Sequence, residues 1–198
     1  ASDVYKRQTT FLPYAVPAVV STLIWGFVYG AKYGLVGSLN DFLGTDIDVL
    51  APSVLLASIG NIVTWEFTGY NMLIFYSSLS TIPHSLYEAA SIDGATKGRQ
   101  FLSITIPLIS PVIFYNLVTQ LVQAFQEFNG PYIITNGGPR NATTLISVIV
   151  YNTAFKDYKV GMSSAMAWVM FVIVMILTII AFVSQKKWVY YSDDDGRG

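Results

Sequence analysis

Between Met162 and Ser184 the chain runs through 23 residues without one charged side chain, a pattern that leaves few folds open. About 20 apolar residues wound as a helix cross the roughly 30 Å of a hydrocarbon core. There every backbone N–H and C=O must be satisfied within the segment, which a helix does. Three further runs have similar character. Phe11–Tyr29 is free of charge, Val54–Leu79 is interrupted by Glu66, and Ile104–Phe125 stays uncharged until Glu127. The fold class expected is therefore all-α, a polytopic membrane helix bundle with spans near 11–29, 54–79, 104–125 and 162–184 in a single domain over 1–198.

Composition agrees. The chain is 53% hydrophobic and 12% charged, with a mean hydropathy of +0.51. Soluble domains carry about 25% charged residues. A net charge of −1 speaks against a nucleic-acid partner. The absence of cysteine excludes disulfides, thiol nucleophiles and cysteine-ligated metals, and His84 alone leaves little for histidine chemistry. No phosphate-binding Gly-x-x-x-x-Gly-Lys-Ser/Thr, His-Glu-x-x-His or Gly-x-Ser-x-Gly is present, so ATP hydrolysis and the common hydrolytic chemistries are not expected of this chain. Ala1–Gln8 is polar and the run after it lacks a small-residue cleavage pattern, so no cleavable signal peptide is apparent.

The connecting segments are polar. Gly30–Pro52 is glycine-rich, an external loop with a short interfacial piece, and Asn129–Gly161 is a second external segment containing a short apolar helix near 145–155. Trp188, Tyr190 and Tyr191 come after Lys186-Lys187 and suit a headgroup-level belt, while 193–198 is expected to be disordered. Four spans place both termini on the side of the 81–103 segment. Lys6, Arg7, Lys97, Arg99, Lys186, Lys187 and Arg197 then lie inside, against Lys32, Arg140, Lys156 and Lys159 outside, as the positive-inside rule prefers.

Two spans carry polar residues at helical spacing. Asn116, Gln120, Gln123 and Glu127 fall on one face of the third, at steps of four, three and four. Glu66 and Tyr70 share a face of the second, with Asn61, Thr64, Thr68 and Asn71 on roughly the opposite side. A carboxylate near the middle of a membrane helix costs about 2.5–3.5 kcal/mol on insertion scales, so these faces must meet protein or water. The Asn/Thr stripe is expected to bond across helices, at about 0.6 kcal/mol each.

Between the second and third spans lies a polar stretch, Pro83-His84-Ser85-Leu86-Tyr87-Glu88-Ala89-Ala90-Ser91-Ile92-Asp93-Gly94-Ala95, continuing through Phe101, Ile104, Pro107 and Pro111. Thr81 is a candidate N-cap, Pro83 suits a first helical turn, and Gly94 can take the left-handed conformation that ends a helix. A second short helix is expected from Ala95 until Pro107 opens the next span. This stretch closely resembles the Glu-Ala-Ala…Gly…Ile…Pro loop of binding-protein-dependent ABC importer permeases, in the form found in the sugar-importer branch that includes the maltose permease. Phe11–Ala18 with its two prolines, and Thr135-Asn136-Gly137-Gly138-Pro139, resemble further elements of that family.

The resemblance implies a type I importer permease fold with a cytoplasmic coupling helix–turn–helix, and Glu88, Ala89, Ala90, Asp93 and Gly94 as the residues that couple to an ATPase. Relatives carry membrane helices upstream of the part matching Phe11, so an N-terminally truncated chain is expected. The positions matching sugar contacts in the maltose permease are Tyr14, Ala18, Glu66, Tyr70, Gln120, Ala124 and Glu127. Carboxylates and amides there would bind hydroxyls in a water-filled cavity, and tyrosine rings would stack on a sugar's apolar face. Glu66 and Glu127 depart from that relative, so the sugar need not be the same. The implied function is the permease subunit of an ATP-driven importer for a sugar or polyol, in a bacterial inner membrane. Its partners would be ATPase subunits that bind ATP and magnesium, a second permease, and an external solute-binding protein. Carriage of amino acids or polyamines by the same machinery, or an ion-coupled secondary transporter, are the alternatives; the latter predicts repeated halves, and none is seen.

Overall fold

A computed structural model describes residues 2–191, with side chains from residue 5 onward. Its helices are α1 (Ser2–Ala15), α2 (Ala18–Val28), α3 (Leu35–Leu43), α4 (Leu55–Ser80), α5 (His84–Ile92), α6 (Lys97–Gln100), α7 (Ile106–Gln126), α8 (Ile146–Phe155) and α9 (Val160–Gln185). No strand occurs among the described residues. The chain divides into two compact units, Ala1–Tyr70 with Ala124–Val172, and Asn71–Gln123 with Ile173–Gly198. The expectation for 193–198 lies outside the described residues.

In the first unit, the stretch expected as one span over 11–29 is two helices meeting at 94°. The cause is Pro17, which sits between them in an extended conformation (φ −55°, ψ 133°). Proline offers no N–H to continue the ladder and pushes the residue before it away from the helical region. α1 then crosses α4 at Gly69, where a Cβ atom would stand 2.1 Å from the Thr10 carbonyl oxygen. Only glycine allows that backbone approach. α2 lies on α4 through Trp25 against Trp65, 5.7 Å between ring centroids, and through Tyr29, whose hydroxyl donates to the Ser58 carbonyl (3.1 Å) and accepts from Asn61 (2.9 Å).

Two short helices stand where the external segments were expected to hold them. α3 exposes Leu35, Leu39, Phe42 and Leu43 and ends at Gly44 (φ +66°), with Asn40 bonding both the N–H and the carbonyl of Ile47 to pin the exit. α8 comes after a closed turn over 135–144. There the Thr135 and Thr143 hydroxyls meet at 2.6 Å, and Thr144 donates to the Gly137 carbonyl at 2.9 Å. The pattern Gly26-x-x-x-Gly30-x-x-x-Gly34 is only in part a helix contact. Gly26 faces Ile134, whereas a Cβ on Gly34 would collide with the Phe27 carbonyl oxygen at the end of α2.

The second unit holds the most consequential departure from expectation. The short helix after Gly94 does not stop at Pro107; it continues into α7, so that Lys97–Ile134 forms one helical stretch of 38 residues. Two local devices carry it past its prolines. Residues Phe101–Thr105 widen into a π turn in which the Ile106 N–H reaches back five residues to the Phe101 carbonyl, just before Pro107. Further on, Pro111 cannot give an N–H to the Pro107 carbonyl, and the Ser110 hydroxyl donates to that oxygen instead (2.6 Å). Ser110 Oγ also accepts the Tyr190 N–H (2.8 Å), which ties the segment after α9 to the base of α7. Phe114 completes the contact, edge-on to Phe182 at 5.0 Å and to Trp188 at 6.0 Å.

By length and composition, Lys97–Ile134 and Val160–Gln185 can each cross a membrane, and Tyr5–Ala15 with Ala18–Val28 passes only as a bent pair. α4 has 26 residues, ample length at about 1.5 Å each, but falls short in apolar content because it carries Asn61, Thr64, Glu66, Thr68 and Asn71.

Candidate functional site

The helix α5 shows what a docking element needs. None of its residues is buried; Glu88 and Ala89 are exposed, Ala90 is half-buried, and Ile92 is 87% exposed. Its start differs from the expectation. Pro83 itself occupies the N-cap position, and the Thr81 hydroxyl turns back to the Ser78 carbonyl (2.8 Å) at the end of α4. Its end agrees: Asp93 comes after the last turn and Gly94 takes φ +75°, with open space where a Cβ would stand. His84 Nδ1 meets Glu88 Oε1 at 3.0 Å, one turn apart on the exposed face.

Bonds that no sequence pattern announces tie α5 to the start of the 97–134 stretch. The Tyr87 hydroxyl meets the Thr105 hydroxyl at 2.8 Å, and Gln100 donates to Ser91 Oγ (2.9 Å) and to the Ala95 carbonyl (3.1 Å). Thr105 is buried and closes the π turn. Thr96 caps α6 by accepting the Arg99 N–H.

The residues expected as substrate contacts divide between the units. In the first, Tyr14 and Tyr70 stack at 4.8 Å with their planes 21° apart, and Phe67 stands edge-on to both. This pairing of α1 with α4 results from the close crossing at Gly69, one residue before Tyr70. Glu66 lies one turn before Tyr70, half-buried. One Glu127 oxygen accepts the Gly130 N–H (3.1 Å), so this carboxylate also caps the chain where α7 ends. Ala18 opens α2 and receives the Thr22 hydroxyl on its carbonyl (2.8 Å); Ala124 is exposed on α7.

In the second unit Gln120 is held. Asn71 Oδ1 accepts from Asn116 (2.8 Å) and from Gln120 (3.3 Å). Asn71 belongs to the stripe expected to bond across helices, and it does so, as does Asn61 with Tyr29. Thr64 and Thr68 do not: their hydroxyls return to the Gly60 and Thr64 carbonyls of their own helix. An aromatic cluster lies outside these sets. Phe128 and Tyr132 stack at 4.8 Å, Tyr151 meets Phe128 at a tilt and Tyr132 edge-on, and Phe155 tilts against Tyr151 at 5.0 Å, with Lys156 over the Tyr132 ring. Its signal is present in the chain as two aromatic pairs, each four residues apart. Among the described residues no group of histidine and carboxylate side chains could hold a metal.

An exposed Glu-Ala-Ala helix set between long apolar helices defines a class, the membrane components of ATP-driven import systems. The chain belongs to the family of binding-protein-dependent transport system inner membrane components, whose pattern it matches over residues 7–188. It is 38% identical over 195 residues to a probable ABC transporter permease of Bacillus subtilis, YesP, covering 96% of this chain and 62% of that one. It is 35% identical to the trehalose/maltose transport system permease MalF of Thermococcus litoralis, over 88% of this chain and 59% of the relative. It thus spans about three fifths of the length of these relatives. A bacterial alginate ABC transporter, solved in complex with an alginate pentasaccharide-bound periplasmic protein, superposes with a TM-score of 0.81 at 22% identity, over 94% of this chain and 67% of that one.

Proposed function

We propose that this chain forms the translocating part of an ATP-driven importer for a sugar or related polyol, delivered by an external solute-binding protein. ATP and magnesium are bound by separate ATPase subunits, and a second permease completes the pathway. The observation that carries this reading is α5, a wholly unburied helix bearing Glu88-Ala89-Ala90 and closed by Asp93 and Gly94. It is a surface for the ATPase to grip. The Tyr14–Tyr70 stack beside Glu66 supports the sugar reading, since aromatic faces and hydroxyl-binding carboxylates suit a polyol. Ala18, Ala124 and Glu127 complete that group, and Gln120 is a separate contact in the other unit. The membrane is a bacterial inner membrane crossed four times, with both ends of this chain inside.

The test is uptake into proteoliposomes holding the complete transporter, offered trehalose, maltose, sn-glycerol 3-phosphate and putrescine. ATP-dependent accumulation of a neutral sugar is expected; accumulation driven by a proton or sodium gradient without ATP overturns the reading. Glu88→Lys should leave the complex assembled and remove stimulation of ATP hydrolysis, because it reverses the charge of the docking face. Wild-type stimulation in that variant would eliminate α5 as the coupling element.

A further inference from the structure

A docking helix is useful only if its displacement reaches the helices that line the pathway, and a free loop would dissipate it. After α5 comes Gly94 at φ +75°, a residue type and conformation that lend themselves to hinging. The hinge is bridged. Tyr87, on the turn that also carries Glu88, bonds Thr105 across 18 residues of sequence, and Ser91 bonds Gln100 one turn further along α5. Thr105 is the last residue of the π turn and leads directly into α7, the helix that carries Asn116 and Gln120. A π turn is a local distortion with an α-helical alternative, and such turns concentrate at functional sites.

We propose that Tyr87, through its hydroxyl bond to Thr105, is the positioning residue that makes α5 and the base of α7 move as one body. The proposal rests on the coupling reading of α5 given above. Without this bond only the exposed Ser91–Gln100 tie keeps the unburied α5 from swinging about Gly94 while α7 stays in place. Tyr87 is half-buried and Thr105 fully so, so the bond is shielded from competing water, unlike the exposed His84–Glu88 contact on the same helix. The second tie, Ser91–Gln100, is exposed and ends short of the π turn. It holds α5 to the start of the same stretch, but in contact with water, which makes it the weaker of the two ties.

One reporter thiol is placed at Gln123, exposed on α7, in a transporter whose other cysteines, all outside this chain, are replaced. In the complete transporter in nanodiscs, its labelling rate with a maleimide is compared with and without ATP and vanadate. A nucleotide-dependent change in that rate is expected on the wild-type background. Tyr87→Phe should shrink the change by about three- to tenfold, the effect of losing one hydrogen bond between neutral groups, while ATP hydrolysis continues. Thr105→Val should do the same, and the double variant should be no worse than either alone. A merely structural Tyr87 would lower the yield of assembled complex but leave the change per complex intact; that result, or additive effects in the double variant, overturns the proposal. If the wild type itself shows no nucleotide-dependent change, the coupling reading falls and this proposal with it.

Discussion

At the scale of single residues, the two carboxylates in the apolar helices demand the most explanation. Glu66 sits within one turn of a stacked tyrosine pair, and Glu127 spends one oxygen on the Gly130 N–H. Their tasks therefore differ: Glu127 holds the chain's exit from α7, and Glu66 is the more available acceptor. Glu66→Ala should raise the half-saturating concentration of a transported sugar about tenfold or more, as expected for a hydrogen bond to a charged group. Gln120→Ala should act more weakly, because its amide already serves Asn71. Uptake of trehalose and maltose by both variants measures this, and unchanged saturation curves would remove both residues from the site. The helical spacing of Glu66 and Tyr70 is legible in the sequence because period 3.6 leaves a visible stripe. Tyr14's part comes only through the family resemblance, since its stacking on Tyr70 depends on how closely α1 approaches α4. That approach depends on Gly69, which in sequence is one small residue among fifteen glycines.

At the scale of elements, prolines are an uneven guide. Pro17 stands inside the stretch expected as one span and bends α1 from α2 by 94°; Pro107 does stand at the opening of α7, second in it, but a π turn and not a break precedes it. Whether a proline breaks or merely interrupts depends on who satisfies the freed carbonyl, which is a matter of neighbours. At Pro111 that neighbour is Ser110, 2% exposed, whose hydroxyl serves the Pro107 carbonyl and the Tyr190 N–H together. Ser110→Ala leaves both groups without that partner, at about 1–3 kcal/mol for a buried unsatisfied group. The variant should melt at lower temperature in detergent and lose the segment after Gln185 to protease sooner than wild type; Ser110→Thr should behave like wild type. Equal protection in the alanine variant would show that the strap is held by Phe114 and Trp188 alone. The exposed end of α5 is easier to read, because Gly94 marks a helix stop by its own chemistry whatever surrounds it.

For the whole molecule, the number of membrane crossings depends on how well the less apolar helices cover their polar faces. α9 and the 97–134 stretch cross by length and composition, α1 and α2 do so only as a bent pair, and α4 is long but less apolar. A polar helix can still cross if its polar face is covered, and α4 covers part of its own: Asn61 on Tyr29, Asn71 on Asn116 and Gln120. Four crossings then put α5 on the same side as the start of α1 and the segment after α9, the side richer in lysine and arginine. Single cysteines in this chain, with those elsewhere in the transporter replaced, decide it. With a membrane-impermeant maleimide on intact cells, cysteines replacing Tyr33 and Asn141 should label from outside. Those replacing Gln8, Ser85 and Lys186 should label only after permeabilisation. Were α1 and α2 a re-entrant pair instead of a broken span, Gln8→Cys would label from outside together with Tyr33→Cys. Were α4 not to cross, Ser85→Cys would label from outside, and a docking helix on that face could not meet an ATPase that draws on cytoplasmic ATP.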